Sequence, residues 1–142
     1  MEVRLAQRPS GLSRGRFSPA QKAGLAYEKA VLKQCKLFWF PGQKIIHNPW
    51  LAYGAKPRYC QPDIVILGPS GHNWLLECKL SWNVEAEPKV LGLYLPLVAR
   101  LWPGRWRALG VCKFWRAEAL EVPAAEPEKA PEAPGLGWVL WG

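Results

Sequence analysis

The stretch PDIVILGPSGHNWLLECK, residues 62–79, decides the fold. It contains an apolar run from Ile64 to Leu67, which is typical of a buried strand. The Gly-Pro-Ser-Gly sequence at 68–71 then predicts a turn, and residues 73–80 predict a second strand that returns beside the first. The stretch therefore predicts a β-hairpin whose first strand is buried.

Charged side chains stand at the open end of this predicted hairpin. Thirteen residues separate Asp63 from Glu77, and Lys79 follows two positions later. Because side chains alternate across a sheet, Glu77 and Lys79 should point to one face and Cys78 to the other. If the strands pair as a hairpin, Asp63 lies beside Glu77. Two carboxylates and an amine would then converge on one patch of an otherwise apolar sheet.

Such a patch has the chemistry that phosphodiester hydrolysis requires. Mg²⁺ prefers carboxylate and carbonyl oxygens, so Asp63, Glu77 and the backbone carbonyl of Cys78 are candidate ligands. A bound cation polarises a phosphate and helps to form the attacking hydroxide. Lys79 would orient or deprotonate that water, or stabilise the transition state. The alternative is a structural Glu–Lys pair, which we favour less because inward-facing charges are costly without a function.

Residues 18–38 predict a helix with clear start signals. Ser18 is a suitable cap, Pro19 suits the first turn, and Gln21 completes a capping box. At 3.6 residues per turn, one stripe of this helix is apolar and the opposite stripe is basic. The apolar stripe consists of Gly24, Tyr27, Val31 and Cys35, and the basic stripe of Lys22, Lys29, Lys33 and Lys36. Glu28 lies beside the apolar stripe, so it should have a partner inside the fold or border a polar site, where it would complete the metal shell or hold a second ion.

The charge of the chain is positive and unevenly distributed. The 142 residues carry a net charge of +8, and all but one of the 19 Lys and Arg residues lie before residue 117. A basic body attracts polyanions, of which nucleic acid is the commonest in the cytoplasm. Between Val3 and Val84 the only acidic residues are Glu28, Asp63 and Glu77. Acids retained in a basic region are candidates for cation binding; the alternative is that they are ordinary salt-bridge partners.

Three basic regions are candidate DNA contacts. Residues 1–17 predict a flexible basic arm, and residues 49–61 predict a loop that mixes basic and aromatic side chains. The third region is the lysine stripe of the helix. Each region has an alternative interpretation, namely a disordered terminus, a surface loop pinned by its aromatic residues and a solvated helix face. The candidate contacts are Arg14, Arg16, Lys22, Lys29, Lys33, Lys56 and Arg58.

The remaining chain predicts one further helix, one further strand and a separate tail. We expect a helix over residues 88–101, bent or split by Pro96, and a strand over residues 106–115. Residues 123–134 are rich in Pro, Ala and Glu and predict a spacer. The apolar segment 137–142 should return to the core or pack against a partner subunit. These expectations divide the chain into an arm (1–17), a domain (18–122) and a spacer with a tryptophan-containing tail (123–142).

Composition limits the compartment and the type of site. No apolar run approaches the roughly 20 residues of a membrane span, and no apolar segment follows the basic N-terminus as in a secretory signal. We therefore expect a cytoplasmic protein that is not associated with a membrane. The four cysteines are widely separated, without the spacing of a zinc site. We expect them to be reduced and mostly buried thiols.

The order of a helix glutamate (Glu28), Pro-Asp (Asp63) and Glu-x-Lys (Glu77 and Lys79) resembles the PD-(D/E)XK nuclease superfamily. The resemblance covers about residues 18–115. It implies an α/β fold with a restriction-endonuclease-like core, which is a mixed four-stranded sheet flanked by helices. It also implies that Glu28, Asp63 and Glu77 are ligands of Mg²⁺, with Mn²⁺ able to take its place, and that Lys79 is the catalytic lysine.

Within that superfamily, the chain is similar to archaeal-type Holliday junction resolvases, which some phages also carry. The similarity lies in the size, the Gly24-x-x-x-Glu28 helix start and the Gln-Pro-Asp-Ile-Val-Ile strand at residues 61–66. It implies a homodimer that resolves four-way DNA junctions in recombination or phage DNA processing, in the host cytoplasm if phage-encoded. Two features depart from the relatives.

The first departure is that residues 19–69 contain no Ser or Thr, although such resolvases often have a functional serine in that region. The second is that Val90 stands where exonuclease-like relatives have the Gln of a Gln-x-x-x-Tyr element ending at Tyr94. Two alternatives therefore stay open. One is another nuclease of the same fold, with a repair, restriction-like or end-processing role. The other is a non-catalytic DNA-binding module.

Overall fold

A computed structural model describes residues 1–12, 15–38, 41–83, 85–114 and 136–141. The fold is α/β, with a five-stranded mixed sheet in the order β2-β5-β6-β7-β8 and a three-stranded antiparallel sheet in the order β1-β3-β4. Helices flank the larger sheet, as predicted, but that sheet has one strand more than the four expected. The elements are β1 (Val3–Ala6), α1 (Pro19–Leu37), β2 (Lys44–His47), β3 (Trp50–Tyr53), β4 (Arg58–Cys60), β5 (Ile64–Leu67), β6 (His72–Ser81), α2 (Ala86–Lys89), α3 (Leu95–Leu101), β7 (Arg105–Phe114) and β8 (Gly137–Leu140).

The predicted hairpin forms the middle of the larger sheet. Strands β5 and β6 pair antiparallel, and the Gly71 N–H donates to the Gly68 carbonyl across the turn at 3.2 Å. β6 also pairs with β7, in parallel. Because parallel neighbours need a crossover connection, the chain passes through α2 and α3 between them. These helices cover one face of the sheet, and α1 covers the other.

Helix α1 begins as its sequence predicts. The Ser18 hydroxyl accepts from the Gln21 N–H at 3.2 Å, and the Gln21 side chain accepts from the Ser18 N–H at 2.8 Å, which completes the capping box. Tyr27 and Val31 are buried against the sheet. All four lysines of the basic stripe are exposed on the opposite side of the helix. The helical periodicity thus orients α1 as expected.

The predicted helix at 88–101 begins slightly earlier and is split in two. A π-helical turn, Val90–Tyr94, joins α2 to α3, and the Leu95 N–H donates to the Val90 carbonyl, five residues back. Pro96 follows immediately and has no N–H with which to continue the α-helical pattern. The wider turn lets Val90 and Tyr94 both point into the core.

Two regions predicted to lack regular structure contain strands. Val3–Ala6, within the expected flexible arm, pairs with β3, and residues 50–60 of the expected loop form the β3–β4 hairpin. Leu51 and Ala52 are fully buried, so burial of the short apolar run at 50–53 outweighs the nearby loop-forming Pro and Gly residues. Pairing of β1 with β3 is non-local, which explains why local patterns missed it.

The apolar tail supplies the extra strand. β8 pairs in parallel with β7, and Leu136 is buried in the core. The Trp141 N–H donates to the Cys112 carbonyl at 2.8 Å, and the Tyr27 hydroxyl donates to the Trp141 carbonyl at 2.6 Å. The tail therefore returns to the core, the first of its two predicted courses. The predicted spacer at 123–134 and the last predicted residue of β7, Trp115, lie outside the described residues.

Three of the four cysteines, Cys60, Cys78 and Cys112, are buried, and all four are free thiols. Burial raises the pKa of the Cys60 and Cys112 thiols to about 11. The expected burial of these thiols is confirmed. Among the helices of the described segments, none has the length and apolar character needed to cross a membrane.

Candidate active site

The open end of the β5–β6 hairpin brings the strand acids together. The pairing register of the two strands, continued by one residue, places Asp63 opposite Glu77. The Cys78 N–H donates to Asp63 Oδ2 at 2.7 Å, and Lys79 Nζ lies 3.5 Å from Glu77 Oε1. Cys78 packs on the α1 side of the sheet, so Glu77 and Lys79 point to the other side. The alternation predicted from the sequence is confirmed.

Glu28 is a buried carboxylate on α1 that is held by several partners. His47 Nε2 lies 2.9 Å from Glu28 Oε2, and the Asn48 side-chain amide donates to the same oxygen at 3.1 Å. Asp63 is also hydrogen-bonded to Glu28. Burial opposes ionisation of Glu28, but the hydrogen bonds from Asp63, His47 and Asn48 outweigh it and lower its pKa. Glu28 therefore carries a negative charge inside the fold.

The pKa of Asp63 is shifted in the opposite direction from that of Glu28. Its burial, the repulsion from Glu77 and the hydrogen bond with Glu28 together raise the pKa of Asp63 to about 9. At neutral pH Asp63 keeps its proton and donates it to the ionised Glu28. The two carboxyl groups thus share one proton, which is how neighbouring acids avoid holding two charges in a poorly solvated place.

Glu77 is almost fully buried and incompletely paired. Burial raises its pKa, against the attraction of Lys79 and Lys89. Its Oε1 is near Lys79, whereas its Oε2 has no hydrogen-bond partner among the described residues. A buried carboxylate oxygen without a partner is costly. Glu77 therefore presents an oxygen that is available to a cation.

The donor atoms at this site suit a hard cation such as Mg²⁺. Carboxylate oxygens of Asp63, Glu77 and Glu28, with the Cys78 carbonyl, are the ligand types that this ion prefers. In the part of the chain that the structure describes, no three His, Cys, Asp or Glu side chains are already grouped to hold an ion. Glu28 and Asp63 are instead bound to each other through their shared proton. A cation would have to replace that proton.

An open cleft of about 420 Å³ gives access to part of this site. Glu28, Asp63 and Lys79 line it, between α1 and the end of β6. Glu77, whose side chain lies 3.5 Å from Lys79 Nζ, is not among its lining residues. A larger apolar cleft of about 510 Å³ lies beside the first and contains none of the candidate catalytic residues. The smaller cleft is therefore the candidate substrate entrance, because the ionisable groups line it.

The structure adds four residues to the predicted site. His47 ends β2, Asn48 follows it, and both hold Glu28. Asn48 has a left-handed φ of 49°, and its N–H donates to the Asp63 carbonyl at 2.8 Å. The available sequence signal was a polar pair ending an apolar strand. Lys89 and Tyr94 approach Glu77 from the crossover. Lys89 and Tyr94 are five residues apart across the π-helical turn. Neither α-helical nor strand periodicity in the sequence would have placed them on one face.

The candidate DNA contacts lie in separate segments. Arg16 precedes α1, the stripe lysines lie along α1, and Lys56 and Arg58 lie at the β3–β4 turn. All of these are exposed, as a contact with phosphates requires. Arg14 lies outside the described residues. The structure thus places these side chains at the surface without gathering them beside the acids.

No protein-family model matches the chain, and no curated protein sequence matches it. One similar solved structure is that of a type III CRISPR defence DNA nuclease activated by cyclic oligoadenylate. It is 24% identical, with a TM-score of 0.49 over 86% of this chain. The chain spans 17% of the length of that protein.

Proposed function

We propose that this chain is a metal-dependent endonuclease that hydrolyses DNA phosphodiester bonds. Glu28, Asp63 and Glu77 are the only acidic residues between Val3 and Val84. The observation that carries the proposal is that these three are neighbours in the fold. Asp63 is hydrogen-bonded to Glu28 and lies opposite Glu77. A divalent cation bound between these carboxyl groups would take the place of the proton that Asp63 and Glu28 share, and it would accept a phosphate oxygen as a further ligand.

Each residue has a part in the proposed chemistry. Mg²⁺, when bound by Glu28, Asp63, Glu77 and the Cys78 carbonyl, supplies Lewis-acid activation of the phosphate. Lys79 is partly exposed, lines the cleft and has its Nζ 3.5 Å from Glu77 Oε1, so its side chain would lie near the incoming phosphate and water. There it orients the water or stabilises the negative charge of the transition state.

Branched four-way DNA is the proposed substrate. The motif of Glu28, Asp63, Glu77 and Lys79 resembles the PD-(D/E)XK superfamily, and the residues around it are similar to Holliday junction resolvases. A homodimer would place two such sites on opposite strands of a junction. The same resemblance favours a role in recombination or phage DNA processing. The competing proposals are another nuclease of that superfamily and a non-catalytic DNA-binding module.

A cleavage panel tests this proposal. Fixed four-way junctions, linear duplex, flap and single-stranded DNA are incubated with the protein and either Mg²⁺ or Mn²⁺, beside Asp63→Ala. We expect paired, symmetric nicks in the junction and no cleavage by the variant. Equal cutting of every substrate would remove the junction specificity. Absence of cleavage with both metals would remove the nuclease itself and favour the binding module.

Lys79→Ala separates catalysis from binding. Loss of one transition-state contact should slow cleavage roughly 100- to 1,000-fold, while DNA affinity stays close to that of the unchanged protein. Single-turnover cleavage and fluorescence anisotropy measure the two effects. Lys44→Ala is the matched control, because Lys44 is exposed at the start of β2 and lies outside the site. Parallel loss of affinity and cleavage in Lys79→Ala would argue against a catalytic role.

A further inference from the structure

The cleft that reaches the acids has one wall made by a single stripe of α1. Gln21, Gly24 and Glu28 line it at intervals of three and four residues, which keeps them on one side of the helix, and Phe17 lines it from just before the Ser18 cap. The end of β6 forms the opposite wall. The volume of about 420 Å³ is typical of a pocket for a small ligand. A DNA duplex, whose major groove alone is about 12 Å wide, does not fit inside it.

An exposed aromatic side chain stands at one end of this wall. Phe17 is 56% exposed although it lines the cleft, and Leu25, which also lines it, is 37% exposed. An apolar ring in such a place is available to a flat ligand, and unpaired bases stack on aromatic rings. Halfway along the wall, a Cβ added to Gly24 would meet no atom within 4 Å. The cleft is therefore open between Phe17 and the acids.

The length of the wall fits several linked nucleotides. Glu28 follows Pro19, the first residue of α1, by nine residues, which corresponds to about 14 Å along the helix axis. The rise per nucleotide in one strand of a duplex is about 3.4 Å, so the wall is longer than a single base. Glu28 and Asp63 are at one end of this path and Phe17 is at the other. A strand that follows the cleft would bring a phosphate to the acids.

The charge around the entrance suits a nucleic-acid backbone. Arg16 and Lys22 are exposed and adjoin Phe17 and Gln21 in the chain. The first turn of α1 contains no acidic residue that would repel phosphates. Lys79 lines the cleft at the end near the acids. Arg16, next to Phe17 in the chain, and Lys79, in the lining near the acids, are therefore the basic residues available to a backbone at the two ends of the cleft.

We propose that this cleft binds a short single-stranded segment of the strand to be cut, with one base stacked on Phe17 and the backbone leading to Asp63 and Glu28. The inference rests on the proposed nuclease function and specifies its substrate as DNA with unpaired nucleotides beside the cleavage point. In a four-way junction, strands pass from one duplex arm to another at the branch point, and this is where a few nucleotides would unpair to enter a narrow cleft.

Equilibrium binding without divalent metal tests the cleft independently of cleavage. The full chain is titrated in EDTA against a fluorescent single-stranded oligonucleotide and against the same sequence as a blunt duplex. Phe17→Ala should weaken single-strand binding roughly 5- to 150-fold, the effect of losing one stacked base, and should leave duplex binding unchanged. Phe17→Trp should restore single-strand binding, because it retains a stacking surface.

Phe38→Ala is the matched control, since Phe38 follows the other end of α1 and is 76% exposed. It should change neither affinity. The inference is overturned if Phe17→Ala binds single strands like the unchanged protein, or if it loses single-strand and duplex binding equally. If no DNA in the cleavage panel is cut but Phe17→Ala still weakens single-strand binding, the proposed nuclease activity is wrong and the proposed single-strand site is retained. If Phe17→Ala cleaves DNA and binds single strands like the unchanged protein, the proposed single-strand site is wrong and the proposed nuclease activity is retained.

Discussion

At the scale of single residues, Asp63 lowers the stability of the folded chain at neutral pH. Its pKa rises from an ordinary value of 3.8 to about 9 in the fold, because of burial, Glu77 and Glu28. The unfolded chain releases this proton above about pH 4, whereas the folded chain retains it. The contribution of Asp63 to folding is therefore fully present below its unfolded pKa and is lost as pH rises toward 9.

Asp63→Asn should therefore stabilise the protein at pH 7. The amide is similar in size, can still donate to Glu28 and can still accept from the Cys78 N–H, while its own titration is removed. We expect the melting temperature to rise at pH 7 by a few degrees, about 2–8 °C for each kcal/mol gained. The gain should shrink at pH 4, where the aspartate is protonated in both states. Equal or lower stability of the variant at pH 7 would contradict the shared proton.

The positions of Asp63, Glu77 and Lys79 could be predicted because strand alternation and hairpin pairing are local. The partners of Glu28 could not, because His47 and Asn48 meet it only through pairing of β2 with β5. The charge states were also beyond the sequence. They depend on burial and on distances between elements, which no residue pattern contains. Metal binding by these acids stays a prediction.

At the scale of elements, β8 is held against β7 by a close contact between Gly110 and Trp138. A Cβ on Gly110 would collide with the Trp138 ring. Gly110→Ala should therefore displace the ring and reduce the free energy of unfolding by about 1–3 kcal/mol, as overpacking does. Urea unfolding followed by tryptophan fluorescence measures this change.

Gly92→Ala is the corresponding control within the crossover. An added Cβ there meets no atom within 4 Å, so the substitution should be neutral or slightly stabilising. Equal stability of the Gly110 and Gly92 variants would contradict the proposed contact between β7 and β8. A loss in both variants would instead indicate a general sensitivity to substitution of glycine.

The elements predicted well were those with strong local signals. The cap and periodicity of α1 and the turn at 68–71 are examples. β3 was missed because its four residues lie between Pro49 and Gly54, which usually mark a loop. The split of the crossover helix was expected from Pro96, but its π-helical form was not. That form depends on burying Val90 and Tyr94 together.

At the scale of the whole molecule, the net charge of +8 should make DNA binding strongly dependent on salt. Each phosphate that is neutralised contributes a slope of about −0.9 to a plot of log K against log salt concentration. We expect a total slope steeper than about −3 if at least four phosphates are contacted. Anisotropy titrations at several salt concentrations measure this slope, and a flat plot would exclude a binding mode dominated by phosphate contacts.

A triple variant of Lys22, Lys29 and Lys33 to Gln identifies the surface responsible. If the stripe contacts phosphates, the slope should flatten by about 0.9 for each contacting lysine. Lys44→Gln is the control, being an exposed lysine of β2. An unchanged slope in the triple variant would show that the stripe is only a solvated face of α1.

The placement of the acids divides the site into a rigid and an adjustable part. Asp63 adjoins β5 and Glu77 lies in β6, and both strands have a neighbour on each side in the sheet. Their separation is thus fixed by ladders that break only on unfolding. Glu28 instead belongs to a helix that leans on the sheet through side chains and is tied by Tyr27 to the Trp141 carbonyl. A tilt of α1 would therefore move Glu28 while Asp63 and Glu77 keep their positions in the sheet.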